Sequence, residues 1–190
     1  MEALFTSTAV VALAEIGDKT QLLAILLATR FNRPVPIILG ILVATLANHA
    51  LAALLGASAA AFLDSPAFRY AIALSFVAMA VWTLVPDKFD DDEAPKPRFG
   101  AFLTTLVAFF LVEMGDKTQV ATIALGAQYQ DVVTVTAGTT LGMMIANVPA
   151  IFLGQQLLKR VDLAKVRMVA AGLFLVIGLW VLAQTAGWLA

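Results

Sequence analysis

A seven-residue stretch with three ionisable side chains occurs twice in this chain, each time inside a long apolar segment. The first copy covers Glu15–Gln21 and reads EIGDKTQ; the second covers Glu113–Gln119 and reads EMGDKTQ. The two copies lie 98 residues apart. A charged residue at the centre of a bilayer costs at least about 2.5–3.5 kcal/mol, and such residues usually have a function. The repeated stretch therefore predicts a polar site inside a membrane, built from two similar halves.

The composition is typical of a membrane protein. Hydrophobic residues make up 61% of the chain and charged residues only 13%, whereas a soluble domain has about 25% charged residues. A helix needs about 20 apolar residues to cross the bilayer core, and the apolar runs are continuous, whereas barrel strands would alternate. The predicted fold class is an all-α membrane protein with six transmembrane helices. Their approximate ranges are 3–30, 34–60, 67–86, 99–127, 132–158 and 166–188.

The similarity between the halves extends beyond the motif. Gly40 matches Gly138 at a spacing of 98 residues, and Asn48 matches Asn147 at a spacing of 99. Because each half contains three helices, an odd number, the second half must enter the membrane from the opposite face. Such inverted repeats are common in secondary transporters, where the binding site lies between the repeats. The predicted organisation is repeat one (1–86), an acidic linker (87–98) and repeat two (99–190).

Basic residues are distributed unequally between the two sets of predicted loops. One set carries Arg69 alone; the other carries nine residues, namely Arg30, Arg33, Lys88, Lys96, Arg98, Lys159, Arg160, Lys165 and Arg167. Loops rich in lysine and arginine lie in the cytoplasm. The linker 87–98 is therefore predicted to be cytoplasmic, with both termini external. The first apolar run lacks the basic start of a signal peptide and is interpreted as a retained helix.

The acidic residues of the motifs are the candidates for an ion site. On a continuous helix, residues three apart share a face, so Glu15 is expected beside Asp18, and Glu113 beside Asp116. The glycine inside each pair permits close helix approach or local unwinding. Four converging carboxylates cannot all stay ionised in a low dielectric without a cation. The site is therefore expected to bind a metal ion, protons, or each in turn.

Neutral oxygen donors are available near these acids. Asparagines lie near the centres of predicted helices two and five, and glutamines follow the aspartates by three residues. Oxygen donors suit Ca²⁺, Mn²⁺ or Mg²⁺; with no cysteine and one histidine, a thiolate or poly-imidazole zinc or copper site is not expected. The predicted metal ligands are Glu15, Asp18, Glu113, Asp116, Asn48, Asn147, Gln21 and Gln119. No prosthetic group is expected, and a net charge of −1 gives no reason to expect nucleic acid.

Several polar residues also have structural interpretations. Asn48 and Asn147 can form hydrogen bonds between helices. The acids can form ion pairs with Lys19 and Lys117, which would lie about 100° around a continuous helix from the aspartates and are therefore poor candidates for metal ligands. His49 can be either a packed residue or a proton relay.

A doubled Glu-x-Gly-Asp-Lys-Thr motif, on the first helix of each of two three-helix halves, resembles a family of small cation transporters. That family includes Golgi and chloroplast calcium/manganese transporters and bacterial manganese exporters, and the resemblance covers essentially the whole chain. It implies transport of Mn²⁺ and/or Ca²⁺ in exchange for H⁺, with Glu15, Asp18, Glu113 and Asp116 as the ion site. The length resembles that of bacterial members, for which manganese export across the cytoplasmic membrane is the implied role.

Alternating access is the predicted mechanism. Metal would enter from the cytoplasm and bind the deprotonated carboxylates, and protons from outside would neutralise the acids and allow return, because metal and protons compete for the same oxygens. A proton or cation channel would use the same acids without alternating access. An intramembrane hydrolase could use paired acids, but no nucleophile or recognition motif accompanies them. A structural membrane protein would not need the acids for transport.

Overall fold

A computed structural model of the chain describes residues 1–62, 65–86, 100–154 and 162–188. Within these ranges the chain forms α-helices and no β-strand, which confirms the predicted all-helical class. The predicted linker 87–98 lies outside the described residues. The helices are α1 (Glu2–Glu15), α2 (Lys19–Phe31), α3 (Pro34–Phe62), α4 (Pro66–Thr83), α5 (Gly100–Glu113), α6 (Lys117–Tyr129), α7 (Val132–Leu153) and α8 (Leu163–Thr185).

Four of the described helices are long and apolar enough to cross a membrane. These are α3, over Pro34–Ala61, and α4, α7 and α8 over their whole lengths. The other four have 13 or 14 residues each. At 1.5 Å per residue such helices are about 20 Å long, which is less than the bilayer core of about 30 Å. Singly, α1, α2, α5 and α6 are therefore too short to span.

The expectation of one continuous helix through each motif is wrong. The predicted helices 3–30 and 99–127 are both divided, because α1 and α2 are separated by residues 16–18, and α5 and α6 by residues 114–116. Gly17 and Gly115 have φ angles of 83° and 79°, a left-handed conformation that glycine adopts without steric cost. The chain thus leaves the helix at each glycine and begins a new helix two residues later.

The four unbroken helices match their predicted positions, with different ends. The predicted range 67–86 shortens to α4, because Leu84 and Val85 turn back on its last residues. The predicted helix 166–188 begins earlier, at Leu163, because the Asp162 carboxylate accepts a hydrogen bond from the Lys165 backbone N–H, 3.2 Å away. This is a typical helix N-cap. The predicted range 132–158 extends past α7 into residues that are not described.

The two halves contact each other through reciprocal pairs. The first helix of each half packs along the long middle helix of the other, α1 on α7 and α5 on α3. A Cβ atom added to Gly40 would lie 2.8 Å from the carbonyl oxygen of Phe102, and one added to Gly138 would lie 2.8 Å from that of Leu4. Both the glycines and their neighbours are 98 residues apart. At these two contacts, each half therefore meets the other with equivalent residues.

The last helix of the first half packs against the last helix of the second half. α4 packs along α8, and the rings of Phe76 and Phe174 lie with their centroids 6.4 Å apart. These phenylalanines are also separated by 98 residues. A residue that contacts its own counterpart lies beside a two-fold axis. The contacts therefore relate the halves by an approximate two-fold axis that passes between Phe76 and Phe174.

Polar side chains are buried between the helices while large apolar side chains cover much of the outside. The long helix α3 illustrates both faces. Its buried side includes Thr45, Asn48 and His49, and its exposed side includes Leu39, Val43, Leu46, Leu51, Leu54 and Leu55. A surface of this kind suits a lipid environment, because lipid tails are as apolar as the side chains that face them. The polar interior is then the part of the molecule where function is expected.

Candidate metal site at the two helix breaks

The four motif acids flank the two helix breaks. Glu15 is the last residue of α1 and Glu113 the last of α5, while Asp18 and Asp116 occupy the N-cap positions of α2 and α6. All four side chains are buried. Because a helix N-terminus carries partial positive charge, the aspartates lie where a negative charge is stabilised. The glutamates lie at negative helix ends, where a cation is favoured.

The break changes the relative positions of the two acids within one motif. The sequence interpretation placed Glu15 and Asp18 on one face of a helix, and this geometry is wrong because residues 16–18 are not helical. Instead the chain turns, and the Asp18 backbone N–H donates to the Glu15 carbonyl oxygen, 3.0 Å away. The second motif repeats the turn, with a distance of 3.1 Å between the Asp116 nitrogen and the Glu113 carbonyl oxygen.

The motif lysines reach across to the aspartates of the opposite half. Lys19 Nζ lies 3.0 Å from Asp116 Oδ1, and Lys117 Nζ lies 3.4 Å from Asp18 Oδ1. The sequence interpretation set the lysines aside because a continuous helix would point them away. The break removes that constraint, so the alternative of acid–lysine ion pairs is confirmed for both aspartates. These pairs join the two halves at the centre of the molecule.

The two glutamates have different neighbours. Asn147 Nδ2 donates a hydrogen bond to Glu15 Oε1, 3.2 Å away. Glu113 Oε2 instead accepts from Thr118 Oγ1, 2.9 Å away, and lies 3.9 Å from His49 Nε2. One oxygen of each glutamate, Oε2 of Glu15 and Oε1 of Glu113, is buried without a hydrogen-bond partner among the described residues. Each glutamate thus retains an acceptor that a cation or a proton can occupy.

The glutamines stabilise the breaks themselves. Gln21 Oε1 accepts a hydrogen bond from the backbone N–H of Gly17, 2.9 Å away, and Gln119 Oε1 accepts from that of Gly115, 2.7 Å away. Each break leaves backbone donors without helical partners, and the glutamine three residues after the aspartate satisfies one of them. In this structure the side-chain oxygens of Gln21 and Gln119 are therefore occupied by hydrogen bonds to the motif backbone.

The predicted match of Asn48 with Asn147 is wrong, because the contacts pair Asn147 with His49 and Asn48 with Ala146 at the 98-residue spacing. Asn147 contacts a motif glutamate directly, and it also donates to the carbonyl oxygen of Met143, 3.1 Å away. Asn48 donates to the carbonyl oxygen of Phe110, 3.3 Å away, while its own oxygen accepts from Gln119 Nε2. Both therefore form contacts between helices, as the structural interpretation expected. Their roles as metal ligands stay predictions.

All four motif acids are buried at the two helix breaks. Asp18, Glu113 and Asp116 each repel a negative charge on Glu15. Among the described residues, however, no group of three or more acidic or histidine side chains has the spacing that a bound metal ion requires. The cross-half lysines instead contact the aspartates. This arrangement can bind a divalent cation or protons if those contacts loosen, since like charges in a low dielectric need compensation.

Sequence reasoning missed two features of this site. The cross-half pairing of Lys19 and Lys117 depends on the helix break, which the sequence indicated only as one of two roles for the motif glycines. Thr118 was not among the predicted ligands, although it contacts both acids of its own motif, with Oγ1 2.9 Å from Glu113 Oε2 and 3.5 Å from Asp116 Oδ2. The repetition of the threonine in both motifs was the available signal.

Comparisons with known proteins agree with this picture of two halves. The family model described as "Divalent cation/proton antiporter GDT1" matches residues 3–91 and residues 101–188. A relative from Vibrio cholerae, named "Putative manganese exporter", is 51% identical over 180 residues, which cover 94% of this chain and 90% of the relative. No solved structure matches the chain.

More distant relatives occur in photosynthetic organisms. A GDT1-like protein from Synechocystis is 29% identical over 185 residues, covering 86% of this chain and 88% of that protein. GDT1-like protein 3 from Arabidopsis thaliana is 26% identical over 201 residues, covering 92% of this chain and 68% of that protein. The likeness to these proteins extends over most of the chain.

Proposed function

This chain belongs to the GDT1 family of divalent cation/proton antiporters, and from that premise we propose that it exports Mn²⁺ and/or Ca²⁺ from the cytoplasm in exchange for H⁺. The proposed site is the set of four carboxylates, Glu15, Asp18, Glu113 and Asp116. The single observation that carries this proposal is the position of all four buried acids at paired helix breaks. Broken helices near the bilayer midplane form the ion sites of many secondary transporters.

In the proposed architecture the short helices cross the membrane in series. α1 followed by α2, and α5 followed by α6, would each form one broken span, which together with α3, α4, α7 and α8 makes six. The approximate two-fold relation between the halves supports two inverted three-span repeats, because each half would then enter from an opposite face. The acids would lie near the midplane, since each break is near the middle of its pair of short helices.

The orientation has a direct test. From the positive-inside rule, a tag inserted near Asp91 is expected in the cytoplasm, and a tag at the C-terminus outside the bacterial cytoplasmic membrane. Accessibility of each tag to an impermeant reagent in intact cells measures this. Finding both tags on one side of the membrane would contradict the inverted-repeat arrangement.

Manganese is the favoured cargo. The relative that is 51% identical carries the name of a manganese exporter, and the oxygen-rich donor set suits Mn²⁺ as well as Ca²⁺. Fully ionised, the four motif acids and two motif lysines carry a formal charge of −2. One divalent cation would neutralise that charge. The same acids can take up protons instead, which is how one site can serve both ions.

In the proposed cycle a divalent ion replaces the lysines as the partner of the aspartates. A divalent ion arriving from the cytoplasm would compete with Lys19 and Lys117 for Asp116 and Asp18, and the two halves would then rock to expose the ion outside. Protons from outside would neutralise the acids and favour the return. Because metal binding requires deprotonated ligands, apparent metal affinity is expected to fall as the pH is lowered.

Purified protein in liposomes tests the proposal. We expect saturable Mn²⁺ flux that accumulates metal against its gradient in the more acidic compartment, with coupled proton movement in the opposite direction reported by an internal pH dye. Mg²⁺, Ca²⁺ and Zn²⁺ complete the panel, and protein with Asp18→Asn and Asp116→Asn together is the control. Non-saturable flux that never exceeds equilibrium would indicate a channel, and flux unaffected by the double substitution would contradict the four-carboxylate site.

A further inference from the structure

His49 is buried beside the second motif and has no assigned role. It is the single histidine of the chain, its side chain is 0% exposed, and neither ring nitrogen has a hydrogen-bond partner among the described residues. A buried polar group without a partner is destabilising. An imidazole left in this condition between α3 and the second helix break requires an explanation.

The ring is close to the most sheltered acid of the second motif. Nε2 lies 3.9 Å from Glu113 Oε2, which is too long for a hydrogen bond. Two ligands that each lie about 2.0–2.6 Å from one divalent ion are roughly 3–5 Å apart, depending on the angle between them. The measured separation falls in that range. The free Oε1 of Glu113 adds an oxygen acceptor on the same carboxylate.

The first motif has an amide side chain where the second has this imidazole. At the 98-residue spacing that relates the two halves, the position equivalent to His49 is Asn147, whose amide contacts Glu15 as His49 lies beside Glu113. The other proposed ligands are all oxygen donors, which accommodate Ca²⁺, Mg²⁺ and Mn²⁺ alike, whereas imidazole suits transition metals better than Ca²⁺ or Mg²⁺. A single nitrogen at this point would therefore change which ion the site prefers.

Building on the proposed transport of a divalent cation, we infer that His49 is a specificity-determining ligand, whose imidazole coordinates the transported ion together with Glu113 and favours Mn²⁺ over Ca²⁺ and Mg²⁺. The nitrogen acts as an additional donor to an otherwise oxygen-lined site. The difference between the halves then contributes to ion selectivity, because one half supplies a selective donor that the other lacks.

The single histidine permits an unambiguous test. Protein carrying a histidine-free purification tag is produced with natural-abundance and with ¹⁵N-labelled histidine, and bound Mn²⁺ is examined by electron spin-echo envelope modulation. We expect a directly coordinated nitrogen whose coupling changes from the ¹⁴N to the ¹⁵N pattern on labelling. Mn²⁺ bound without any histidine coupling would overturn the inference while leaving the proposed transport intact. Failure of the wild-type protein both to bind and to transport divalent ions would instead refute the proposed function.

A selectivity measurement provides the second readout. In His49→Gln the ratio of Mn²⁺ to Ca²⁺ affinity, measured by competition in detergent, is expected to fall about tenfold or more, as losses around a metal site typically do. An equal ratio in His49→Gln and wild type would overturn the inference. If His49→Gln does not fold, the labelling experiment on wild-type protein decides the question alone.

Discussion

The two halves carry motifs that agree at six of seven positions, yet their glutamates have different surroundings. Glu15 has an amide neighbour, Asn147, whereas Glu113 has the hydroxyl of Thr118 and the imidazole of His49. The lysine–aspartate contacts, in contrast, are made in both directions. The shared backbone turn therefore places the aspartates and lysines alike in both halves. The glutamates differ in the side chains of α3 and α7 that contact them and in whether the motif threonine donates to them.

The halves also differ in how deeply their lysines are buried. The side chain of Lys19 is 28% exposed and that of Lys117 only 4%. Around the glycines, a Cβ on Gly17 would lie 2.7 Å from a methyl group of Leu163, whereas one on Gly115 would meet no atom of the described residues within 4 Å. An approximate two-fold axis thus relates two sites that are not equally enclosed. Substitutions made in matched pairs can show which differences matter.

The largest expected effect is the loss of transport when either aspartate is neutralised. Asp18→Asn and Asp116→Asn should each lower Mn²⁺ transport by about 100-fold or more, equivalent to about 2.7 kcal/mol, because both carboxylates are proposed ligands and ion-pair partners. Initial flux in liposomes measures this. Asp131→Asn is a matched control, since Asp131 caps α7 away from the motifs and asparagine also caps helices well. Normal flux in one motif variant would mean that a single half carries the site.

The two aspartate variants should also differ in thermal stability. Removing one partner of a buried ion pair costs roughly 3–5 kcal/mol, and exposed pairs contribute much less. Asp18→Asn removes the carboxylate that the buried Lys117 contacts, whereas Asp116→Asn affects the partly exposed Lys19. Asp18→Asn should therefore lower the thermal unfolding temperature more, as measured in detergent. The opposite order would show that lysine burial does not control the strength of these pairs.

Substitutions of the motif threonines test the difference between the two glutamates, and their expected effect is smaller. Thr118→Val removes the hydroxyl that donates to Glu113, and loss of a hydrogen bond to a charged group costs roughly 1.5–3 kcal/mol. Thr20 Oγ1, at the equivalent position, is buried without a hydrogen-bond partner among the described residues. Thr20→Val should therefore be nearly neutral. The Michaelis constant for Mn²⁺ compares the two, and equal effects would indicate that the glutamates have equivalent surroundings during transport.

The smallest expected difference is between the motif glycines. Alanine at either position must adopt left-handed φ, which costs roughly 1–2 kcal/mol. Gly17→Ala should cost slightly more, because the new methyl group displaces the Leu163 side chain, and Leu163→Ala should remove only that excess. A double-mutant cycle on the free energy of unfolding measures the coupling. A greater loss in Gly115→Ala would contradict the more open surroundings of that glycine.

Much of the architecture could be predicted because it depends on local pattern. Continuous apolar runs indicated helices, and the four longest helices of the structure match predicted segments. The repetition of Glu15–Gln21 at Glu113–Gln119 indicated two related halves and identified the acids. These inferences depend on the order of residue types along the chain, which a sequence displays directly.

The tertiary structure determined the breaks and the partners across them. The apolar runs on both sides of residues 16–18 predicted one unbroken helix, whereas Gly17 adopts left-handed φ and Gln21 accepts a hydrogen bond from its backbone N–H. The contacts of Lys19 with Asp116, and of His49 with Glu113, join residues 97 and 64 positions apart. Such contacts depend on how the two halves pack in three dimensions, and no local pattern of the sequence contains that information.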